Sequence, residues 1–145
     1  MKFADLHVGQ LLEFGAFTLS EDELLSFAQR YDPQPFHIDK AAATASRWSG
    51  LISSGFQTCA IAMRMVAEHV LHGSESIGSP GLEYVKWENP VRAGDGLRMR
   101  LHVLERTVST SGRIGSVRWR WLMFNQRNEQ VLDLTATSLF ELRAH

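Results

Sequence analysis

The sequence predicts an α+β domain in which a curved antiparallel sheet wraps around one long central helix. Residues 52–70 repeat apolar side chains at spacings of three and four, which is the period of a buried helix. The later segments 97–104, 116–123 and 132–140 alternate apolar side chains with others, which is the period of a strand. Antiparallel strands that follow helices and lie to one side of them indicate the α+β class.

Length and composition favour one domain that spans residues 1–145. The chain has 145 residues, of which 44% are hydrophobic and 21% are charged. A domain of this size buries about 68–70% of the surface that its unfolded chain exposes. Disorder of the whole chain is excluded, because it needs lower hydrophobicity or a higher net charge. The net charge of −1 argues against a nucleic-acid partner, since such affinity comes from clustered Lys and Arg.

The sequence contains no segment that is typical of a targeting signal or of a membrane span. Residues 1–7 lack the apolar stretch of a signal peptide, and no run of about 18 apolar residues occurs. Cys59 is the single cysteine, which excludes an intramolecular disulfide. We therefore expect a cytoplasmic protein with no membrane partner.

A short strand and a capped helix are predicted first. The strand covers residues 13–18. The Ser20 side chain can accept a hydrogen bond from the backbone N–H of Glu23, and Glu23 can reach back, which is the pattern of a capping box. An apolar patch follows and predicts a helix over about 21–30.

Two prolines and an aspartate divide the next segment. Pro33 and Pro35 end the first helix and hold the residues before them extended, because a residue that precedes proline avoids the α region. Asp39 is placed to cap a short alanine-rich helix over 40–46.

The long helix has Ser53 or Ser54 as its N-cap and Gly73 as its C-terminal stop. We expect it to be buried on most sides through the apolar residues Ile52, Phe56, Cys59, Ala60, Met63, Val66, Ala67 and Val70. The first of the four later strands is predicted over 81–89. A sheet of this kind leaves edge strands that must be covered or paired. We therefore expect a homodimer, with which trimers of dimers are compatible.

The stretch 31–39 carries the most informative chemistry. Asp32 and His37 place a carboxylate and an imidazole five residues apart on a proline-braced loop. The prolines reduce the conformational freedom of this loop, as a preorganised acid/base pair requires. Histidine titrates near neutrality, and a nearby aspartate can orient it. The alternative is that Asp32 ends a helix and His37 only satisfies a hydrogen bond within the loop.

The pattern Asp-x-x-Pro-x-His, followed by an alanine-rich helix and by Gly-Leu-Ile-Ser-Ser-Gly at residues 50–55, resembles the MaoC-like dehydratases. These include the (R)-specific enoyl-CoA hydratases of the hot-dog fold. Residues 89–95 are similar to the turn between sheet strands in that family, and residues 31–58 carry the specific part of the resemblance. The chain departs from the common motif in having Gln34 in place of Asn, and Ser54 where His is frequent.

The resemblance implies a single hot-dog domain with hydro-lyase activity. The catalytic pair of the family maps to Asp32 and His37, which would activate a water that adds to a trans-2-enoyl thioester. The reverse reaction would dehydrate an (R)-3-hydroxyacyl thioester. The oxyanion donor maps to the backbone N–H of Gly55. The residues agree with this role, since a helix N-terminus offers free N–H groups and the positive end of the dipole, and glycine permits close approach of a substrate.

Contacts to an acyl-CoA or acyl-carrier thioester are expected at Gln34, Ser54 and Gln57. A solvated or loop-bonding role is the alternative for Gln57. No organic cofactor is expected, because hydration of an activated alkene needs only acid, base and oxyanion support. No metal is expected either, because His69 and His72 lack a third ligand.

Basic and aromatic residues are interleaved in one strand. Arg118 and Arg120 alternate with Trp119 and Trp121, so we expect the arginines to form a solvated face behind a core face. The alternative is that these arginines, with Arg113, meet the phosphates of CoA.

Two other functions remain open from the sequence. A hot-dog acyl-CoA thioesterase often carries an acidic residue in the central helix, but residues 55–67 contain no Asp or Glu. A non-catalytic module that binds acyl thioesters is the other alternative, if Gln34 and Ser54 have removed the water site.

Overall fold

Within residues 1–142, which the computed structural model describes, five antiparallel strands form one curved sheet in the order β1-β3-β4-β5-β2. The strands are β1 (Leu11–Thr18), β2 (Ser76–Lys86), β3 (Gly96–Val108), β4 (Ile114–Phe124) and β5 (Gln130–Glu141). The helices are α1 (Glu21–Tyr31), α2 (Pro35–Ile38), α3 (Lys40–Ala45) and α4 (Gly55–Val66). The α+β class, with a long helix inside a curved sheet, is confirmed. No helix in this part of the chain is long and apolar enough to cross a membrane.

The core lies between α4 and the three middle strands of the sheet. Buried side chains on the helix side of these strands are Leu97, Met99, Leu101, Val103, Val117, Trp119, Trp121, Met123, Leu132, Leu134, Ala136 and Phe140. Burial alternates along the first part of β3 and of β4, as the period of two predicts, but residues 121–123 of β4 and 131–136 of β5 are buried consecutively. On the helix side, Ile61, Ala62, Met65 and Val66 pack against them. Each strand therefore offers one apolar face to the helix.

The long helix is not buried on most sides. The face of α4 that meets the core carries Gln57, Thr58, Ile61, Ala62, Met65 and Val66. Phe56 and Met63, which belong to the predicted apolar stripe, are 70% and 44% exposed. The helix has two apolar faces, and a count of apolar spacings does not tell which of them the sheet covers. The helix also stops at Val66, and a π-helical turn over Ala67–Leu71 continues it toward the predicted stop.

Two helix caps form as the sequence indicates. The Ser20 hydroxyl accepts from the backbone N–H of Glu23 at 3.1 Å, although the Glu23 carboxylate accepts from that hydroxyl instead of from the Ser20 backbone. The Asp39 carboxylate accepts from the N–H of Ala42 at 3.1 Å and caps α3. These caps fix the residues at which α1 and α3 begin.

The structure corrects two predicted boundaries. Pro35 does not only hold its neighbour extended; it also begins α2, because its fixed φ suits the first position of a helix. This short helix carries His37. The first strand after α4 covers Ser76–Lys86 in place of 81–89, since it pairs with β5 through an irregular register that includes Gly78 and Gly81.

The arginines of β4 lie on the outer face of the sheet, as the alternation predicts. Arg118 forms an ion pair with Glu83, with Nε 2.5 Å from Oε1. Arg120 donates to both carboxylate oxygens of Asp133, at 3.0 and 2.8 Å, and the Tyr84 hydroxyl donates to Asp133 at 2.8 Å. Since these guanidinium groups bind carboxylates of the sheet, the structure favours the solvated-face interpretation of Arg118 and Arg120 over contacts with phosphate.

Candidate active site

A cleft of about 300 Å³ opens where the loop after α1, the start of α4 and the segment after β2 meet. Asp32, His37 and Gly55 all line it. Two indole rings, those of Trp48 and Trp87, form part of its wall. The fold thus gathers the three residues to which the sequence assigns a catalytic role around one concave surface.

His37 is held at both ring nitrogens. Nδ1 lies 2.7 Å from the carbonyl oxygen of Ile52, and Nε2 lies 3.2 Å from Oδ2 of Asp32. A carbonyl oxygen only accepts, so Nδ1 carries a hydrogen and donates it. Nε2 is therefore the atom that exchanges a proton with the carboxylate or with a water in the cleft. The ring is 5% exposed, which limits its rotation.

Asp32 is stabilised as a carboxylate. The side-chain amide of Gln34 donates to Oδ1 at 2.7 Å, and this hydrogen bond is the main cause of a pKa lowered from the ordinary aspartate value. Partial burial opposes that effect, and the Ser54 hydroxyl and His37 add to it. Asp32 consequently keeps its negative charge at neutral pH and can accept a proton. Gln34, which replaces the family's Asn, supports the dyad directly.

Ser54 is fully buried at the N-cap position of α4. Its hydroxyl contributes to the lowered pKa of Asp32. Within residues 1–142, however, the hydroxyl oxygen has no partner that meets hydrogen-bond geometry. A buried hydroxyl without a partner is costly. Ser54 is not among the residues that line the cleft, so its contact with substrate stays a prediction.

Gln57 has a supporting position in the structure. Its amide nitrogen donates to the Glu23 carbonyl of α1 at 3.0 Å, and its amide oxygen accepts from the Ser53 hydroxyl at 3.1 Å. These bonds connect the first turn of α4 to α1. They favour the loop-bonding alternative for Gln57 over a contact with substrate.

The turn over 89–95 is hydrogen-bonded to the loop that leads into α4. The Ser53 N–H donates to the Val91 carbonyl at 2.7 Å, and the Arg92 guanidinium donates to the Trp48 carbonyl at 2.5 Å. The motif that resembles the family's turn therefore fixes the loop that leads into α4. Sequence reasoning identified the turn but not the residues that it contacts.

Gly55 begins α4, so its N–H has no acceptor within the helix. The side on which a Cβ would project is filled by Trp87: an ideal Cβ would lie 2.6 Å from Cε2 of the indole. The indole nitrogen donates to the Gly55 carbonyl at 2.9 Å. Sequence reasoning explained this glycine by the approach of substrate and missed Trp87, because the contact joins residues far apart in the chain.

A second, apolar cavity of about 460 Å³ lies between the exposed face of α4 and the strands β2 and β5. Phe56 lines both cavities. Met63, Leu82 and Trp121 are among its other walls. The exposed apolar stripe of α4 thus faces a space rather than the core.

Comparison with known proteins agrees with these features. Residues 5–118 match the family model described as MaoC like domain. The crystal structure of the MaoC-like dehydratase from Rhodospirillum rubrum is 35% identical and has a TM-score of 0.87, covering 98% of this chain and 97% of that one. The (R)-hydratase PhaJ1 from Pseudomonas aeruginosa is 28% identical with a TM-score of 0.78, covering 97% and 86%. Among curated proteins, the uncharacterized protein YdeM of Bacillus subtilis is 27% identical over 133 residues, covering 92% of this chain and 94% of that protein.

The family match and the structural similarity indicate the same family and the same fold. The matched residues make up most of the chain and include the whole segment that lines the cleft. The fold is similar to that of the dehydratase from Rhodospirillum rubrum along nearly the full length of both chains. The chain belongs to the MaoC-like dehydratase family and has its hot-dog fold.

Proposed function

We propose that this protein is an (R)-specific enoyl-thioester hydratase. It would add water to trans-2-enoyl-CoA or, in reverse, dehydrate a 3-hydroxyacyl thioester. The observation that carries the proposal is the contact of 3.2 Å between His37 Nε2 and Asp32 Oδ2 in the cleft where α4 begins. The likeness to an (R)-hydratase from Pseudomonas aeruginosa supports the reaction class.

The dyad would act as base and acid on one water. Asp32 accepts a proton from the water as its oxygen bonds to the β-carbon of the enoyl group. The alkene electron pair moves toward the thioester oxygen. His37, which in the proposed starting state carries a hydrogen on each ring nitrogen, then gives the proton on Nε2 to the α-carbon as the electron pair returns to form the C–H bond. Transfer of a proton from Asp32 to His37 restores the starting state, so the net change is addition of one water. The Ile52 carbonyl keeps the ring oriented throughout, because it holds the hydrogen on Nδ1.

The helix start would stabilise the charge that develops on the thioester oxygen. In the proposed geometry the N–H of Gly55 donates to this oxygen, at the positive end of α4. Preorganised donors of this kind contribute several kcal/mol in other enzymes, since they do not reorient during the reaction. The Ser54 hydroxyl supports the charge of Asp32, and its contact with the water or the substrate stays a prediction.

The direct test is the loss of enoyl-thioester absorbance when the protein meets crotonyl-CoA, followed by chiral analysis of the product. We expect rapid loss, an (R)-3-hydroxy product and no release of free CoA. Thiol release detected with a thiol reagent would indicate a thioesterase. Saturable binding of CoA esters without conversion of short, long or branched enoyl esters would indicate a binding module. Either result would contradict the proposal.

A change at Gln34 is expected to move the acid limb of the pH–rate profile. Gln34→Leu removes the hydrogen bond that lowers the pKa of Asp32. That pKa then rises, so the carboxylate is protonated at a higher pH and the fall of kcat/KM on the acid side begins at a higher pH. The profile is measured with crotonyl-CoA, with Gln10→Leu as control, because the Gln10 side chain bonds the His7 N–H. An unchanged acid limb would show that Gln34 does not set the charge of Asp32.

We also propose that the protein is a homodimer. β2 is an edge strand, and its Ile77 and Leu82 are 51% and 50% exposed. Pairing of two β2 edges would cover these side chains together with the exposed apolar face of α4. Light scattering should give twice the chain mass, and Leu82→Arg should shift the mass toward one chain. The equally exposed Val108, changed to Arg on β3, should leave the dimer intact. A monomeric wild type would contradict this expectation.

A further inference from the structure

Trp87 is the first residue after β2, and its indole lies on the first turn of α4. The ring atoms Cε2, Cδ2 and Cζ2 are 2.6 to 2.9 Å from the position of a Cβ on Gly55. Nε1 donates to the Gly55 carbonyl at 2.9 Å. The ring also meets Phe56 edge-on, with centroids 6.0 Å apart. Trp87 therefore touches both of the first two residues of the helix.

This packing explains the glycine at the helix start. Its backbone is not in the left-handed region that favours glycine, so φ does not require it. The indole requires glycine at this position, because the methyl group of an alanine would overlap the ring. The hydrogen bond to the carbonyl holds the peptide that follows Gly55, and the ring lies on the side of Cα where a Cβ would project. Because the Gly55 N–H belongs to the preceding peptide, the indole acts on that donor through the position of Cα.

The position of Trp87 is set by the sheet. Lys86, which precedes it, lies opposite Asp133 at the end of the β2–β5 ladder. Two residues further on, the Asn89 side chain donates to the Gln130 carbonyl at 2.8 Å. The backbone of Trp87 is thus held between two attachments to β5, while its side chain is 45% exposed and is held by its contacts with Gly55 and Phe56.

We propose that Trp87 is a positioning residue for the hydration reaction and the wall that fixes the oxyanion-donating turn. Its indole N–H and ring hold the first turn of α4 so that the N–H of Gly55 points at the thioester oxygen. This inference rests on the proposed hydratase function. It goes beyond that function because it names the residue that orients the donor. That residue follows β2 and lies far from the dyad in the chain.

Replacement of the indole by a phenyl ring should reduce the rate but not the binding. Trp87→Phe keeps an aromatic ring in the cleft and removes the donor to the Gly55 carbonyl. One such hydrogen bond corresponds to a fall of about 3- to 10-fold in kcat for crotonyl-CoA, with KM nearly unchanged, because the oxyanion contact strengthens in the transition state. Tyr84→Phe is the matched control, since it removes an aromatic donor three residues earlier, from β2 and on the outer face of the sheet. This control should leave kcat unchanged.

The orientation of the donor can be read without turnover. Butyryl-CoA has no double bond to hydrate, so its thioester carbonyl stretch, followed by infrared difference spectroscopy, reports the donors around the oxygen. Bound to the wild type, this band should lie below its position in water. Trp87→Phe should shift it back toward that position, whereas His37→Ala should not, because the dyad does not donate to this oxygen. A loss of structural stability alone would not move the band of the bound ligand.

A double-mutant cycle tests the packing. Gly55→Ala keeps the backbone N–H but adds the methyl group that overlaps the indole. It should lower kcat in the wild-type background and cost much less when Trp87 is replaced by Ala, because the space is then empty. Circular dichroism and the melting temperature establish that each variant is folded. The cycle does not use the Trp87→Phe variant, so it is independent of the kinetic test above.

The outcomes separate this inference from the function on which it depends. A wild type that converts no enoyl thioester contradicts the hydratase proposal, and the band of butyryl-CoA then still tests the role of Trp87. An active wild type with Trp87→Phe at the same kcat and the same carbonyl band overturns the positioning role alone. Additive effects of Gly55→Ala and Trp87→Ala would overturn it as well.

Discussion

Asp32→Asn and His37→Ala are each expected to lower turnover of an enoyl thioester by at least about a hundredfold, the usual range for the loss of acid/base help. Asparagine preserves the shape of residue 32 but cannot take a proton from water. Alanine at residue 37 removes both the proton on Nε2 and the ring that bonds the Ile52 carbonyl. The measurement is the loss of crotonyl-CoA absorbance at saturating substrate. The double variant should be little worse than either single variant, because groups that act as a unit are not additive.

Asp39→Asn provides the matched control for the dyad variants. Asp39 lies two residues from His37 and caps α3 through its carboxylate oxygen. Asparagine caps helices equally well, so this variant should keep the wild-type rate. Near-normal rates in both Asp32→Asn and His37→Ala, with the fold retained, would remove these residues from the mechanism.

Asp133→Ala is expected to reduce the free energy of unfolding by about 2 kcal/mol, since it removes charge-assisted hydrogen bonds to a buried carboxylate. Asp133 is 5% exposed and accepts from Arg120 and from the Tyr84 hydroxyl, thereby joining β2, β4 and β5. The Arg120 side chain is 44% exposed and regains water, so the loss stays below that of a fully buried pair. Urea unfolding at neutral pH measures it. Glu105→Ala, which breaks an exposed ion pair with Arg118, should change stability by less than about 1 kcal/mol.

The same residue makes stability depend on pH. The hydrogen bond from Arg120 is the main cause that lowers the pKa of Asp133 below the ordinary value of 3.8. A carboxyl whose pKa is lowered on folding contributes stability above the unfolded pKa, and this contribution is lost as the pH falls through the lower folded value. The wild type should therefore lose stability below about pH 4, while Asp133→Asn should lose less over the same range. Equal acid sensitivity of the two proteins would contradict this role.

Local patterns predicted the elements that depend on near neighbours. The Ser20 and Asp39 caps, the alternation along β3 and the extended residue before Pro35 all follow from residues within a few positions of one another. Asp32, which precedes Pro33, is not in the extended region, since it ends α1 with ψ at 67°. The α2 helix was missed because the same proline that restrains its predecessor also suits the first position of a helix.

The site was predictable where it lies in one short motif. Asp32 and His37 share a loop, so their meeting in the cleft depends on five residues of chain. The position of Gln57 was not predictable in the same way, because its partner Glu23 lies on another helix. An amide side chain in a first helical turn carries no local sign of whether substrate, solvent or a distant carbonyl will bond it.

The sequence by itself determined the order of helices and strands, the dyad motif and the resemblance to a family, since each depends on spacing along the chain. The tertiary structure decided which apolar face of α4 meets the sheet, that the Ile52 carbonyl orients His37, and that Trp87 covers Gly55. These contacts depend on how the elements pack. The periodicity of a segment predicts its own helix or strand. Which residue of another element a side chain contacts depends on how the sheet curves around the helix.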